Sequence, residues 1–101
     1  MVLTVFRNRL KPEAQDYPDL AARMSELAKT MPGYVSHKTF VADDGERVTI
    51  VEFASEEAQR AWRMHPEHAA AQKKGRAEFY AEYRLQICTV QRESVFPPRG
   101  G

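Results

Sequence analysis

The sequence predicts an α+β domain of ferredoxin-like type, with a four-stranded antiparallel sheet carrying its helices on one face. Three observations lead there. Four runs are rich in β-branched and aromatic residues, two stretches repeat apolar residues at helical spacing, and their order, β-α-β-β-α-β, is that of the split βαβ motif. At 101 residues the chain has the size of one domain, and a chain this short buries only about two thirds of the surface its unfolded form exposes. It can build one core, and it shows neither repeat nor linker.

Residues 2 to 10 contain no Gly or Pro and read as the first strand, ending before Lys11-Pro12. Asp16 is placed to cap a helix with Pro18 in its first turn, and Tyr17, Leu20, Met24, Leu27 and Met31 recur at three- and four-residue steps. Pro32 and Gly33 end that helix near Met31, because proline restricts the residue before it and glycine supplies the exit. Tyr34 to Val41 and Arg47 to Phe53 flank Asp43-Asp44-Gly45, and an Asp-Gly pair readily takes the positive φ angles of a hairpin turn. Ser55 then caps a helix bearing Ala58, Ala61 and Trp62, with Glu56 and Glu57 in its positively polarised first turn. Pro66 divides this helix, giving a short piece to His65 and a second from Pro66 to Lys74, which Gly75 stops. Tyr83 to Arg92 alternates Tyr83, Leu85, Ile87 and Thr89 with Arg84, Gln86, Cys88 and Val90, the period of a last strand. The domain is expected over residues 1–95, with a flexible tail at 96–101.

Charge and cysteine usage narrow the function classes. Fifteen basic and fourteen acidic side chains nearly cancel, and neither sign forms a block able to track a phosphate backbone or an anionic membrane, so nucleic acid and membrane partners are not expected. Lys73, Lys74 and Arg76 read as cations complementing a helix end. Cys88 is the only cysteine and stands among apolar residues, so a buried, reduced thiol in the cytoplasm is expected. The run from Met1 to Phe6 is too short for a signal peptide or a membrane span. Apolar residues fall on both sheet faces, as with Phe6 against Val5, Phe40 against Val41 and Ile50 against Val51, yet the helices cover only one. The expected closure is a two-fold homodimer in which two sheets face each other.

Met31-Pro32-Gly33-Tyr34, the hairpin, the run Glu52 to Ala58, then Trp62, Pro66-Glu67-His68 and Phe79-Tyr80 form a series whose order and spacing resemble the antibiotic biosynthesis monooxygenase family, from about residue 2 to residue 92. That resemblance implies a dimeric α/β barrel with a pocket in each subunit between sheet and helices. It also implies a monooxygenase without metal, flavin or other cofactor, acting on a small phenolic, quinol or polyketide-like aromatic molecule. A non-catalytic binding or structural protein is the alternative reading. Oxygenation of this kind requires a phenol to lose a proton and its electron-rich anion to meet dioxygen, which calls for a dry aromatic pocket, a base and a group to hold the oxyanion.

The catalytic candidates are His68, Trp62 and Asn8; His37, Phe40, Tyr80, Tyr83 and Arg84 are the candidates for holding substrate. Each also has a structural reading, Trp62 above all as a core anchor. No metal site is expected from His65 and His68, since Pro66 lies between them and no acidic or cysteine partner is placed beside them. The polyketide-oxidising pattern is incomplete: the tyrosine six residues after the tryptophan is His68 here, and the asparagine one turn before it is Ala58. The haem-degrading branch gives a third reading through Asn8 and Trp62, but Gln72 stands where that branch carries its iron-binding histidine.

Overall fold

The computed structural model describes residues 1–98. Its elements are β1 (Val2–Leu10), α1 (Tyr17–Lys29), β2 (Tyr34–Val41), β3 (Arg47–Phe53), α2 (Glu56–Met64), α3 (Pro66–Lys74) and, after a turn of π-helical geometry at Gly75–Phe79, β4 (Tyr80–Thr89). The four strands form one antiparallel sheet in the order β2-β3-β1-β4, the ferredoxin-like α+β arrangement. Of the expected tail, residues 99–101 lie outside the described residues. Among the described residues no helix is long and apolar enough to cross a membrane.

Strand pairing fixes the two faces. Val2 lies opposite Phe53, Thr4 opposite Val51, Phe6 opposite Thr49 and Asn8 opposite Arg47, so these residues share the face beneath the helices. There the core gathers Phe53, fully buried, with Leu27 and Ala28 of α1 and Trp62 of α2, and Met24, Met31, Tyr34, Val51 and Ala58 pack around it. Leu3, Val5, Val48, Ile50 and Phe40 occupy the other face, which carries no helix.

Local chemistry explains most boundaries. Gly33 takes φ +82°, and a Cβ there would come within 2.5 Å of the Ala58 Cβ, so glycine is required both for the turn and for the approach of α2. Its carbonyl accepts from the Ala54 N–H at 2.8 Å, tying the exit of α1 to the end of β3. Ser55 caps α2 as expected, its hydroxyl accepting from the Ala58 N–H at 3.1 Å. Pro66 does divide the second helical stretch: His65, pushed into the extended region with ψ 128°, ends α2 and starts α3, and its Nδ1 accepts from the Glu67 N–H at 3.2 Å.

Five local expectations are corrected. Asp16 occupies the cap position of α1, but its backbone is already helical and its side chain makes no capping bond. In the hairpin only Gly45, at φ +91°, takes a positive φ; Asp44 instead accepts from the Glu46 N–H through its side chain at 3.0 Å. Gly75 does not stop the helix: it keeps helical angles, and its lack of a side chain leaves room for the Tyr80 ring. The last strand runs from Tyr80 to Thr89 rather than from Tyr83 to Arg92, because a register shift at Arg9/Leu10 brings Tyr80 opposite Leu10, and pairing with β1 runs out at Val2 opposite Thr89. Cys88 is exposed, since alternation along this edge strand turns it to the helix-free face.

Candidate functional site

Between the sheet and the helices lies a cavity of about 300 Å³, floored by the inward residues of the strands and walled by all three helices. At one end it abuts the core, sharing Met24, Ala28, Val51 and Trp62 with it. Arg23 of α1 is ion-paired with Glu67 of α3, bracing two walls against each other, with one contact at 2.9 Å.

The best defined feature is the pair Trp62 and His68, whose rings stack with centroids 4.0 Å apart and planes 15° from parallel. The sequence builds this pair through Pro66. In an unbroken helix the N–H of residue 66 would bond to the carbonyl of Trp62, but proline has none. The carbonyl instead accepts from the His65 N–H at 3.2 Å and faces His68 Nδ1 at 3.1 Å. A carbonyl only accepts, so Nδ1 carries the proton and Nε2 keeps its lone pair. Burial lowers the His68 pKa from the ordinary 6.5, outweighing the bond to Trp62, which acts in the opposite direction, and the charge of His65 lowers it further. His68 is thus a neutral imidazole on an indole face, with its basic nitrogen available.

A second half-buried imidazole borders the cavity from β2. His37 Nδ1 meets the Tyr34 hydroxyl at 2.7 Å and its Nε2 meets the Ser25 hydroxyl of α1 at 3.1 Å. Hydroxyls both donate and accept, so this chain is satisfied with a neutral ring in either tautomer. Burial, and then the charge of Lys29, lowers the His37 pKa.

The other end of the cavity is phenolic and cationic. Tyr80 packs edge-on against Phe6 at 5.3 Å and against Tyr17 at 5.8 Å, and lies 5.9 Å from Tyr83. Burial, reinforced by Tyr17, pushes the Tyr80 pKa far above its ordinary 10, so its hydroxyl stays protonated. Arg47 sets its guanidinium 5.5 Å from the centre of the Tyr17 ring, with Nε buried and unbonded within the protein. Asn8, opposite both Arg47 and Tyr83, is 2% exposed, and neither its amide nitrogen nor its amide oxygen is hydrogen-bonded.

Of the residues singled out from sequence, His68, Trp62, His37, Tyr80 and Tyr83 line this one cavity. Asn8 lies beside it on the same sheet face. Phe40 and Arg84 do not join them: both point to the helix-free face, where Arg84 borders a charged groove with Arg7, Arg9 and Glu82. For Phe40 the cause is a register shift between Tyr34 and Ser36, which reverses the alternation, so that His37 shares the face of Tyr34 and Phe40 does not. Tyr17 and Met24, left out of the site because their spacing is that of any packed helix, line the cavity as well, and so do Arg47 and Ser25, which the sequence did not single out. Arg47 carried a signal, because it lies two and four residues before Thr49 and Val51 and must share their face. Arg76, read as part of a solvated helix end, also borders the cavity, leaving Lys73 and Lys74 in the last turn of α3. Among the described residues, no group of three His, Cys, Asp or Glu side chains is placed to hold a metal ion.

Comparison with known proteins bears on the fold and the family. Residues 1–74 match the family described as antibiotic biosynthesis monooxygenase. The uncharacterized protein YqjZ of Bacillus subtilis is 35% identical over 80 residues, covering 79% of this chain and 70% of that protein. Among solved structures, Rv0793 from Mycobacterium tuberculosis superposes with a TM-score of 0.81 at 18% identity, covering 93% of this chain and 98% of the other. SnoaB, a cofactor-independent oxygenase from Streptomyces nogalater, does so with a TM-score of 0.79 at 19% identity, covering 96% and 97%. At these identities the structural likeness concerns the fold. The match over residues 1–74 and the likeness to YqjZ go further: this chain belongs to the antibiotic biosynthesis monooxygenase family.

Proposed function

We propose that this protein is a monooxygenase needing neither metal nor flavin, which oxidises a small phenolic or quinol substrate in the cavity beside Trp62, and that it works as a homodimer. The observation that carries the reading is His68: a neutral imidazole, Nδ1 fixed by the Trp62 carbonyl, with Nε2 left as a base in an aromatic cavity. The likeness to SnoaB, a cofactor-independent oxygenase, supports the same chemistry.

In this reading Nε2 takes the proton of the substrate hydroxyl. The phenolate gives an electron to dioxygen, and the radical pair combines at the ring carbon para to the oxygen, forming a C–O bond. His68 returns its proton to the outer oxygen, the carbon's hydrogen then leaves as a proton as the O–O bond breaks, and that proton joins the departing hydroxide to give water, leaving a quinone. One phenol and one dioxygen thus give one quinone and one water. Positioned general-base catalysis contributes about 10²–10⁴-fold.

The helix-free face, with Leu3, Val5, Val48 and Ile50, is the surface on which a second copy would close the sheet. The single cysteine, with no partner in the chain, fits a reducing, cytoplasmic setting. The test is oxygen uptake in metal-free buffer with a panel of quinols and polycyclic phenols. Consumption above the protein-free rate, lost in His68→Gln, is the expected result; no acceleration with any compound would favour a binding protein instead.

A further inference from the structure

The cationic end of the cavity has a consequence for the substrate, resting on the oxygenase reading for which end reacts. Arg47, Arg63 and Arg76 border the cavity, and among the described residues no aspartate or glutamate does. Arg7, Arg9, Arg23 and Arg60 each hold a carboxylate, whereas among the described residues none of the three cavity arginines does. The Nε of Arg47 is buried without a hydrogen-bond partner, and so are both amide atoms of Asn8 directly across the sheet from it. A buried donor without a partner is costly, so the bare Nε of Arg47, which borders the cavity, points to an acceptor from outside the chain.

We propose that this end is an anion subsite and that the substrate is a small aromatic acid, its carboxylate held by Arg47 and its ring lying toward Trp62 and His68. A planar guanidinium matches a carboxylate through two parallel hydrogen bonds. The Tyr17 ring against Arg47 presents an apolar wall that strengthens such a pair by excluding water. Spacing agrees: Arg47 lies four residues along β3 from Val51, which packs against the Trp62 cluster, or roughly 13 Å at about 3.3 Å per residue. An arginine side chain and a fused two-ring aryl acid together span that length. The acid group would thereby fix which ring carbon faces His68.

Calorimetric titration under argon separates binding from turnover, with 5-hydroxy-1-naphthoate, whose hydroxyl lies on the ring away from the acid group, and the neutral 5-hydroxy-1-naphthamide as probes. The wild-type protein should bind the acid at least about tenfold more tightly than the amide, a preference of roughly 1.4 kcal/mol. Arg47→Gln should erase that preference and Arg47→Lys should keep part of it. Equal affinities in the wild type, binding of neither probe, or an unchanged preference in Arg47→Gln would overturn the subsite. The wild-type comparison decides by itself should a variant fail to fold. Oxygen uptake, measured separately in air, distinguishes the two readings. Arg47-dependent binding of the acid without oxygen consumption leaves the subsite standing and removes the oxygenase; consumption with acid and amide alike does the reverse.

Discussion

His68 carries two roles that a single substitution separates. Glutamine keeps a polar side chain against Trp62 but has no basic nitrogen, so His68→Gln should lower oxygen consumption by about 10²–10⁴-fold while changing stability by only about 1 kcal/mol. The comparison of turnover with thermal melting checks this. The same residue gives stability a pH dependence. Its folded pKa, like that of His37, lies below the ordinary 6.5, so between those values the unfolded chain binds more protons than the folded one. Stability is therefore complete above pH 6.5 and falls as the pH drops below it, levelling off beneath the depressed folded values. Denaturant titrations from pH 7.5 to 4.5 should show that fall, and His68→Gln should reduce it; an unchanged profile in the variant would contradict the assignment. Carboxylates such as Glu46 and Glu67, held low by Arg7 and Arg23, add their own loss only at more acidic pH.

At the level of elements, turns and caps decide where each begins. Ser55→Ala removes the one side-chain cap of α2 and should cost about 1 kcal/mol in chemical denaturation. Gly33→Ala should cost more than that, since it adds both a strained φ and a collision with Ala58. These signals act through near neighbours, which explains why β1, β2 and β3 and the break at Pro66 are legible in the sequence. The misread features depend on distant partners. Gly75 resembles a helix stop, yet the chain coils on because the Tyr80 ring needs that space. The start of β4 is set by a register shift in its pairing with β1, and no local feature of Tyr80 announces it.

Across the whole molecule, alternation in the strands shows that the sheet has two apolar faces but not which one the helices cover. That ambiguity governs how much of the site can be read in advance. His68, Trp62, Tyr80 and Tyr83 reach the cavity through helix spacing or an undisturbed strand, whereas the bulge in β2 turns Phe40 away and brings His37 in. Arg47 was hidden because its ordinary reading, a charged residue beside a hairpin, requires no interior. The apolar face left open by the helices predicts association. Light scattering at micromolar concentration should give twice the chain mass, and Val5→Asp, which places a charge in the middle of that face, should give the single-chain mass with the secondary structure retained.

The proposed oxygenation depends on a basic nitrogen at His68 delivering a phenolate to dioxygen. Turnover of a phenol under ¹⁸O₂, with the product analysed by mass spectrometry, tests this most directly. The expected product is a quinone carrying one labelled oxygen, formed by the wild-type protein and almost absent with His68→Gln. An unlabelled product, or equal labelling by the variant, would contradict it.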